Sequence, residues 1–158
     1  KGKDFLVQIV YDETATEIYI QDIIYTQQSM KETEPLCAMQ LAKFSVKDAL
    51  FESNNGGEGF ARAVENQTRL LGNTVTSFKT FHQSNNKEVR IFNNSAKVTN
   101  LIYMPHDWKQ IWPLAYKHVT TYLKSGKNSS DDLEDALTGI VENFGKNTED
   151  ERTVMKRN

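Results

Sequence analysis

Phe51-Glu52-Ser53-Asn54-Asn55-Gly56-Gly57 is the stretch on which the reading of this chain turns. The short apolar run Asp48-Ala49-Leu50-Phe51 carries one carboxylate, Glu52, to the point where a strand ends. Two asparagines and two glycines then turn the backbone into a helical pattern that starts near Glu58. Open α/β sheets build their sites at the carboxyl ends of strands, beside such turns. A carboxylate closing a buried strand lies towards a domain interior, where an uncompensated charge is costly. It calls for a cation, a donor-rich loop or protonation. The plain alternative is a glutamate that accepts amide bonds from the turn between Asn54 and Gly57.

Outward from this stretch, β-rich runs alternate with helical ones. Phe5 to Tyr11 and Glu17 to Tyr25 read as strands, and the polar link Asp12 to Thr16 is short enough for an antiparallel hairpin. Thr33 to Phe44 reads as a helix with Leu36, Met39, Leu41 and Phe44 inward and Pro35 in its first turn. Gly59 to Leu71 repeats Phe60, Ala63, Val64 and Leu71 at helical spacing, with Gly72-Asn73 as its stop. Thr74 to Phe81 alternates as a strand does, and Lys87 to Asn100 suits a helix interrupted at Asn93-Asn94. Ile102 to Pro105 is extended, Trp108 to Leu123 is helical despite Pro113, and Gly126 to Ser130 is a loop. Two opening strands followed by this alternation predict a three-layer α/β domain, residues 1–145, with a central mixed sheet flanked by helices. The ribonuclease H-like fold is one that suits the pattern. Residues 146–158 form a charged tail.

The last helix, Asp131 to about Phe144, repeats Leu133, Ala136, Leu137, Ile140, Val141 and Phe144 along one face. Ser130 or Asp131 can cap it, and Glu134 stands where a capping box needs it. Asp132 and Asp135 share a face beside the apolar stripe. Acids gather at helix N-termini simply because they complement the macrodipole. Two separated acidic sites that converge would instead make a divalent-metal centre. Magnesium and manganese prefer carboxylate oxygens and keep several waters. Two such ions about 4 Å apart activate water and stabilise a leaving oxygen in phosphodiester cleavage. No Walker lysine motif or cysteine ladder competes, and His82, His106 and His118 lack zinc-type spacing.

With 158 residues, 38% apolar and 25% charged, the chain suits one domain with a proper core. No apolar run is long enough to cross a bilayer. The chain opens on Lys1, which reads as a fragment or a beginning left unseen. A single cysteine, Cys37, excludes an internal disulfide, favours an intracellular setting, and reads as a small buried hydrophobe. A net charge of −2 gives no global attraction to nucleic acid, so a DNA contact needs a local basic patch, metal ions or another domain. Lys87 and Arg90 can share a face; Lys109, Lys117, Lys124 and Lys127 surround an aromatic helix and read as a solvated face. Trp108, Trp112, Tyr116 and Tyr122 have the spacing of core packing more than of a base-stacking platform.

Four segments, in order, resemble the C-terminal nuclease domain of a tailed-phage terminase large subunit. Gly2-Lys3-Asp4-Phe5-Leu6-Val7 is similar to the family's opening hairpin, and Phe51 to Gly57 to its second acidic motif. Asn86-Lys87-Glu88-Val89-Arg90-Ile91 resembles its Lys-Glu-x-Arg-Ile segment, and Ser130 to Leu137 its closing acidic helix. The resemblance spans residues 2 to about 145. It implies a ribonuclease H-like fold and cutting of concatemeric double-stranded DNA with two Mg²⁺ or Mn²⁺ ions. The implied metal ligands are Glu52 and Asp132, with Asp131 and Asp135 as further candidates. Lys87 and Arg90 hold a phosphate or brace the acidic loop. The implied partners are an ATPase domain in the same full-length chain, a small terminase subunit and a portal, in a host cytoplasm and without a membrane. The family's first acid lies on its first strand, upstream of this chain; Asp4 is near that place without matching the motif. The fragment is therefore expected to lack one ligand and a central strand, and to be inactive as it stands. Two other readings stay open: a non-catalytic module that docks on a portal, motor or DNA, and a ribonuclease H-like nuclease of resolvase or transposase type.

Overall fold

Leu6–Glu13 (β1) and Ile18–Thr26 (β2) are neighbouring strands joined through a tight turn in which the Thr14 N–H donates to the Glu17 carbonyl at 2.9 Å. The computed structural model describes residues 4–124 and 127–146. The Gly2-Lys3 part of the opening motif, Gly126 of the loop and the tail from 147 on lie outside the described residues. The fold is α/β, with a mixed sheet in which β2 lies between β1 and Ile102–Tyr103 (β5), and a second sheet of two strands, Asp48–Glu52 (β3) and Ser77–Phe81 (β4). Contacts divide the chain into two units. The first takes the residues up to Val10 and Ile23–Asn85; the second takes Tyr11–Asp22 and the residues from Asn86 on.

In the first unit, helix α1 (Met30–Lys43) begins three residues before the expected start. Glu32 explains it: its carboxylate accepts from the N–H and hydroxyl of Ser29 at 3.0 and 2.8 Å. Pro35 therefore sits inside the helix and not in its first turn. The inward face is Thr33, Cys37, Ala38, Gln40 and Leu41, whereas Met39 is exposed. Small side chains here let α1 lie against α2 (Gly57–Leu70), and Gln40 finds a partner in the Gln8 amide at 2.8 Å. An apolar count alone passes over such a face.

Strands β3 (Asp48–Glu52) and β4 (Ser77–Phe81) pair in parallel, from Asp48 opposite Ser77 to Glu52 opposite Phe81. They cover a core of Cys37, Ala38, Leu41, Ala49, Phe60 and Val64, onto which the stacked rings of Phe51 and Phe78 pack. The expected strand start at Thr74 is too early. Asn73 Oδ1 accepts from the N–H groups of Val75 and Thr76, so the chain is still turning there. Helix α2 ends as expected, with Gly72 at φ +86°, but Leu71 is exposed and Thr68 takes the inward place.

The second unit carries the parallel pair of β2 with β5 (Ile102–Tyr103), in which Ile18 faces Ile102. Helix α3 (Lys87–Leu101) is continuous, correcting the expected interruption. Asn94 does not break it because its amide donates back to the Arg90 carbonyl at 2.9 Å. The expected single helix over Trp108–Leu123 is two short ones, α4 (Trp108–Ile111) and α5 (Pro113–Thr120). Trp112 between them has φ −128° and ψ 67°, as the residue before a proline is pushed out of the helical region. Helix α6 (Asp132–Asn143) buries Leu133, Leu137, Ile140 and Val141 and packs against α3 and α5. No helix among the described residues is long and apolar enough to cross a membrane.

Candidate functional site

Glu52 ends β3 in the first unit, and its turn is tightly held. Ser53 donates its N–H and hydroxyl to the Phe81 carbonyl at 2.8 and 2.9 Å. The Asn54 side chain grips the segment after β4, donating to the Gln83 carbonyl at 2.6 Å and accepting the Gln83 N–H at 3.3 Å. Asn55 and Gly56 take positive φ values of 52° and 90° and swing the chain into α2. A Cβ at Gly57 would lie 1.9 Å from the Glu52 carbonyl oxygen, so only glycine fits this close approach. Glu52 itself is exposed, which corrects the expectation of a carboxylate near the interior. Its placement rests on the turn, not on burial.

Beside Glu52 lies an open cavity of about 380 Å³ lined by Leu6, Gln8, Cys37, Phe51, Gly57 and Phe60 among others. Gln8 donates to the Cys37 carbonyl at 3.1 Å while its own buried carbonyl oxygen has no partner. Cys37 is buried and its thiol is pushed up to about 12 by loss of solvation, so it packs as a hydrophobe. Asp4 is exposed and precedes β1.

In the second unit the remaining site residues come together where the start of α3 meets the start of α6. The Lys87 ammonium donates to Asp132 Oδ1 at 3.0 Å and Asp131 Oδ1 at 3.1 Å, and lies 4.0 Å from Asp135. Burial works against this charge, but the bonds to Asp132 and Asp131 outweigh it and hold the amine well above its ordinary range. Asp132 also accepts the Ser130 hydroxyl at 3.0 Å, while its own N–H donates to that hydroxyl at 3.2 Å. Ser130 thus serves the first turn, and Asp131 gives its carboxylate to Lys87 instead of capping the helix.

Arg90, buried on α3, makes a fork. Its Nη1 donates to Asp135 at 2.5 Å, and its Nε and Nη2 donate to the two oxygens of Glu142 at 3.1 and 2.8 Å. Asn94 adds a bond to Glu142 at 3.3 Å. Burial raises the Asp135 carboxyl despite its cationic neighbours Arg90 and Lys87. Glu134 does not form the expected capping box. It is buried, both its oxygens lack partners, and desolvation pushes its carboxyl up to about 7.

Lys87, Arg90, Asp131, Asp132 and Asp135 therefore form one cluster within the second unit, and Glu52 belongs to the first. Glu142 and Asn94 are the members that sequence reasoning passed over. Glu142 lies two turns beyond Asp135 on the same helix face, and Asn94 lies one turn beyond Arg90, so helical spacing carries the signal.

Among the described residues no group of three or more His, Cys, Asp or Glu side chains is arranged to hold a metal ion. The Asp131–Asp132 pair nevertheless suits a hydrated divalent ion in kind, since two hard carboxylates converge on one cationic point, which the Lys87 ammonium takes. Magnesium is commonly held by one or two carboxylates plus waters. The chain matches no protein-family model and no curated protein.

Proposed function

We propose that this chain is a metal-dependent DNA endonuclease domain of ribonuclease H-like type, of the kind that cuts concatemeric double-stranded DNA in a packaging terminase. The observation that carries the reading is the convergence of Asp131 and Asp132 on a single cation position, which the Lys87 ammonium takes. The strapped turn that presents Glu52 at the end of a parallel strand supports it from the first unit. The resemblance implies Glu52 and Asp132 as ligands, with Asp131 as a further one. Bound Mg²⁺ or Mn²⁺ supplies a nucleophilic water and charge stabilisation at the leaving oxygen. Lys87 is placed to neutralise the aspartates, or a substrate phosphate when they hold metal. Arg90 ties α3 to both ends of α6, through Asp135 in its first turn and Glu142 in its last. The partners that go with this reading are double-stranded DNA, an ATPase motor domain, a small terminase subunit and a portal, in a host cytoplasm.

The test is nicking of supercoiled plasmid with Mn²⁺ or Mg²⁺ by a chain extended upstream to include the family's first acid. Glu52→Ala and Asp132→Ala abolish cutting on this account while leaving the fold intact. Full activity in both variants refutes the assignment.

One observation favours a second reading. Lys87 and Arg90 already neutralise the α6 acids, as in a purely structural network. A non-catalytic docking module would carry such a network without binding metal, and Mn²⁺ titration separates the two.

A further inference from the structure

The segment from Ile102 to Ser129 contains four lysines, Lys109, Lys117, Lys124 and Lys127, against one acid, Asp107. This is a local cationic excess in a chain whose net charge is −2. All four lysines are exposed, and none forms an ion pair among the described residues. The nearest large group of acids in the same unit, on α6, is taken up by Lys87 and Arg90.

Two of the lysines are held by rings. The Lys109 ammonium lies 5.4 Å from the centre of the Tyr116 ring, which packs edge-on against Trp108 at 4.8 Å. The Lys124 ammonium lies 3.9 Å from the centre of the Phe92 ring. Aromatic faces steady such side chains and leave the charge at the surface. Next to Lys124 and Lys127, the Asn128 amide exchanges bonds with the N–H and carbonyl of Leu123 at 2.8 and 3.0 Å.

We propose that these lysines, on and around α4 and α5, form a binding face for the phosphate backbone of double-stranded DNA. A duplex carries about one negative charge per 1.7 Å of its axis, so spaced lysines meet phosphates in any register. An acidic protein would need carboxylates matched to each of the four points. The choice of DNA rests on the nuclease reading above; the cationic face itself does not.

The experiment measures anisotropy of a short fluorescein-labelled duplex over a salt series, in EDTA, so that no cutting contributes. The full chain is compared with Lys109→Gln/Lys117→Gln/Lys124→Gln and with Lys31→Gln/Lys43→Gln/Lys47→Gln, which removes equal charge from the first unit. The α4–α5 triple variant is expected to bind at least tenfold more weakly at low salt, with an unchanged melting temperature. Its slope of log K against log salt should fall by about 2.7, at about 0.9 per lost phosphate contact. The first-unit triple variant should bind within twofold of the unsubstituted chain.

The proposal is overturned if the α4–α5 variant keeps its affinity and slope, if both variants lose equally, or if the unsubstituted chain does not bind the duplex. Competition by polyglutamate as strong as by unlabelled duplex would also overturn it, in favour of an acidic protein partner. Lysine-dependent binding without metal-dependent nicking by the upstream-extended chain sinks the nuclease reading alone. Nicking that survives with lysine-independent binding sinks only the face.

Discussion

Arg90 and Glu142 meet as a two-bond fork, Nε to Oε1 at 3.1 Å and Nη2 to Oε2 at 2.8 Å, between α3 and α6. The guanidinium also holds Asp135, so one buried cation ties together three points on two helices. Removing one partner of a buried pair leaves the other charged and unsatisfied, at a cost of about 3–5 kcal/mol. Arg90→Met should lower unfolding stability by that order, and Arg90→Lys should recover only part of it because an ammonium cannot make the fork. Urea denaturation checks both; a loss under 1 kcal/mol for Arg90→Met would contradict this view of the clamp.

Lys87 holds the place a cation takes between Asp131 and Asp132. Lys87→Ala should strengthen Mn²⁺ binding severalfold, because the ion no longer competes with the ammonium. Isothermal titration reads this directly. Weaker binding in the variant would mean that the lysine supports the site instead of screening it.

The Glu52 turn depends on the missing side chain of Gly57. Gly57→Ala drives a methyl into the Glu52 carbonyl, which sits 1.9 Å from where it would be. Overpacking against backbone of this kind costs about 1–3 kcal/mol. Thermal unfolding should show the loss, and nicking by the upstream-extended chain should fall because the carboxylate is re-aimed. Gly59→Ala is the control, since a Cβ there meets nothing within 4 Å.

Glu134 sets a pH dependence. Its carboxyl moves from an ordinary 4.5 to about 7 in the folded chain, through burial first and the charges of Asp131 and Asp132 after it. The folded state then holds the proton more tightly than the unfolded state. Its contribution is fully present below pH 4.5 and is lost as pH rises through about 7, on the order of 3 kcal/mol across that window. Glu134→Gln should match the unsubstituted chain in acid and exceed it in stability above pH 7. Denaturation midpoints measured across that range test it, and parallel curves for the two proteins would contradict it.

Much of the fold was legible because it rests on periodicity. The hairpin strands, the Glu52 strand and the apolar stripe of α6 all follow from spacing and land within two residues of their expected bounds. The errors share a cause, which is side chains competing for backbone groups. Glu32 drew the start of α1 forward, Asn73 delayed β4, Asn94 kept α3 whole, and Pro113 bent Trp112 out of a helix. Such local bonds are decided by geometry that a one-dimensional pattern does not carry.

The candidate site was legible in part. The acids of α6 and the pair Lys87 and Arg90 were singled out, and the structure joins them in one network. Glu142 stands two helical turns beyond Asp135, outside the acidic run, and only that spacing marks it. Glu52 is legible from its place at the strand end before a glycine-rich turn, but it lacks the expected burial; the turn beyond it, with Ser53 and Asn54 bonded across to the β4 end, does the positioning.

Mn²⁺ binding by electron paramagnetic resonance, on the unsubstituted chain, Glu52→Ala and Asp132→Ala, tests the central claim most directly. If both carboxylates ligate the ion, each substitution weakens binding at least tenfold while the fold is kept. Equal binding by all three proteins, or none by the unsubstituted chain, would contradict it.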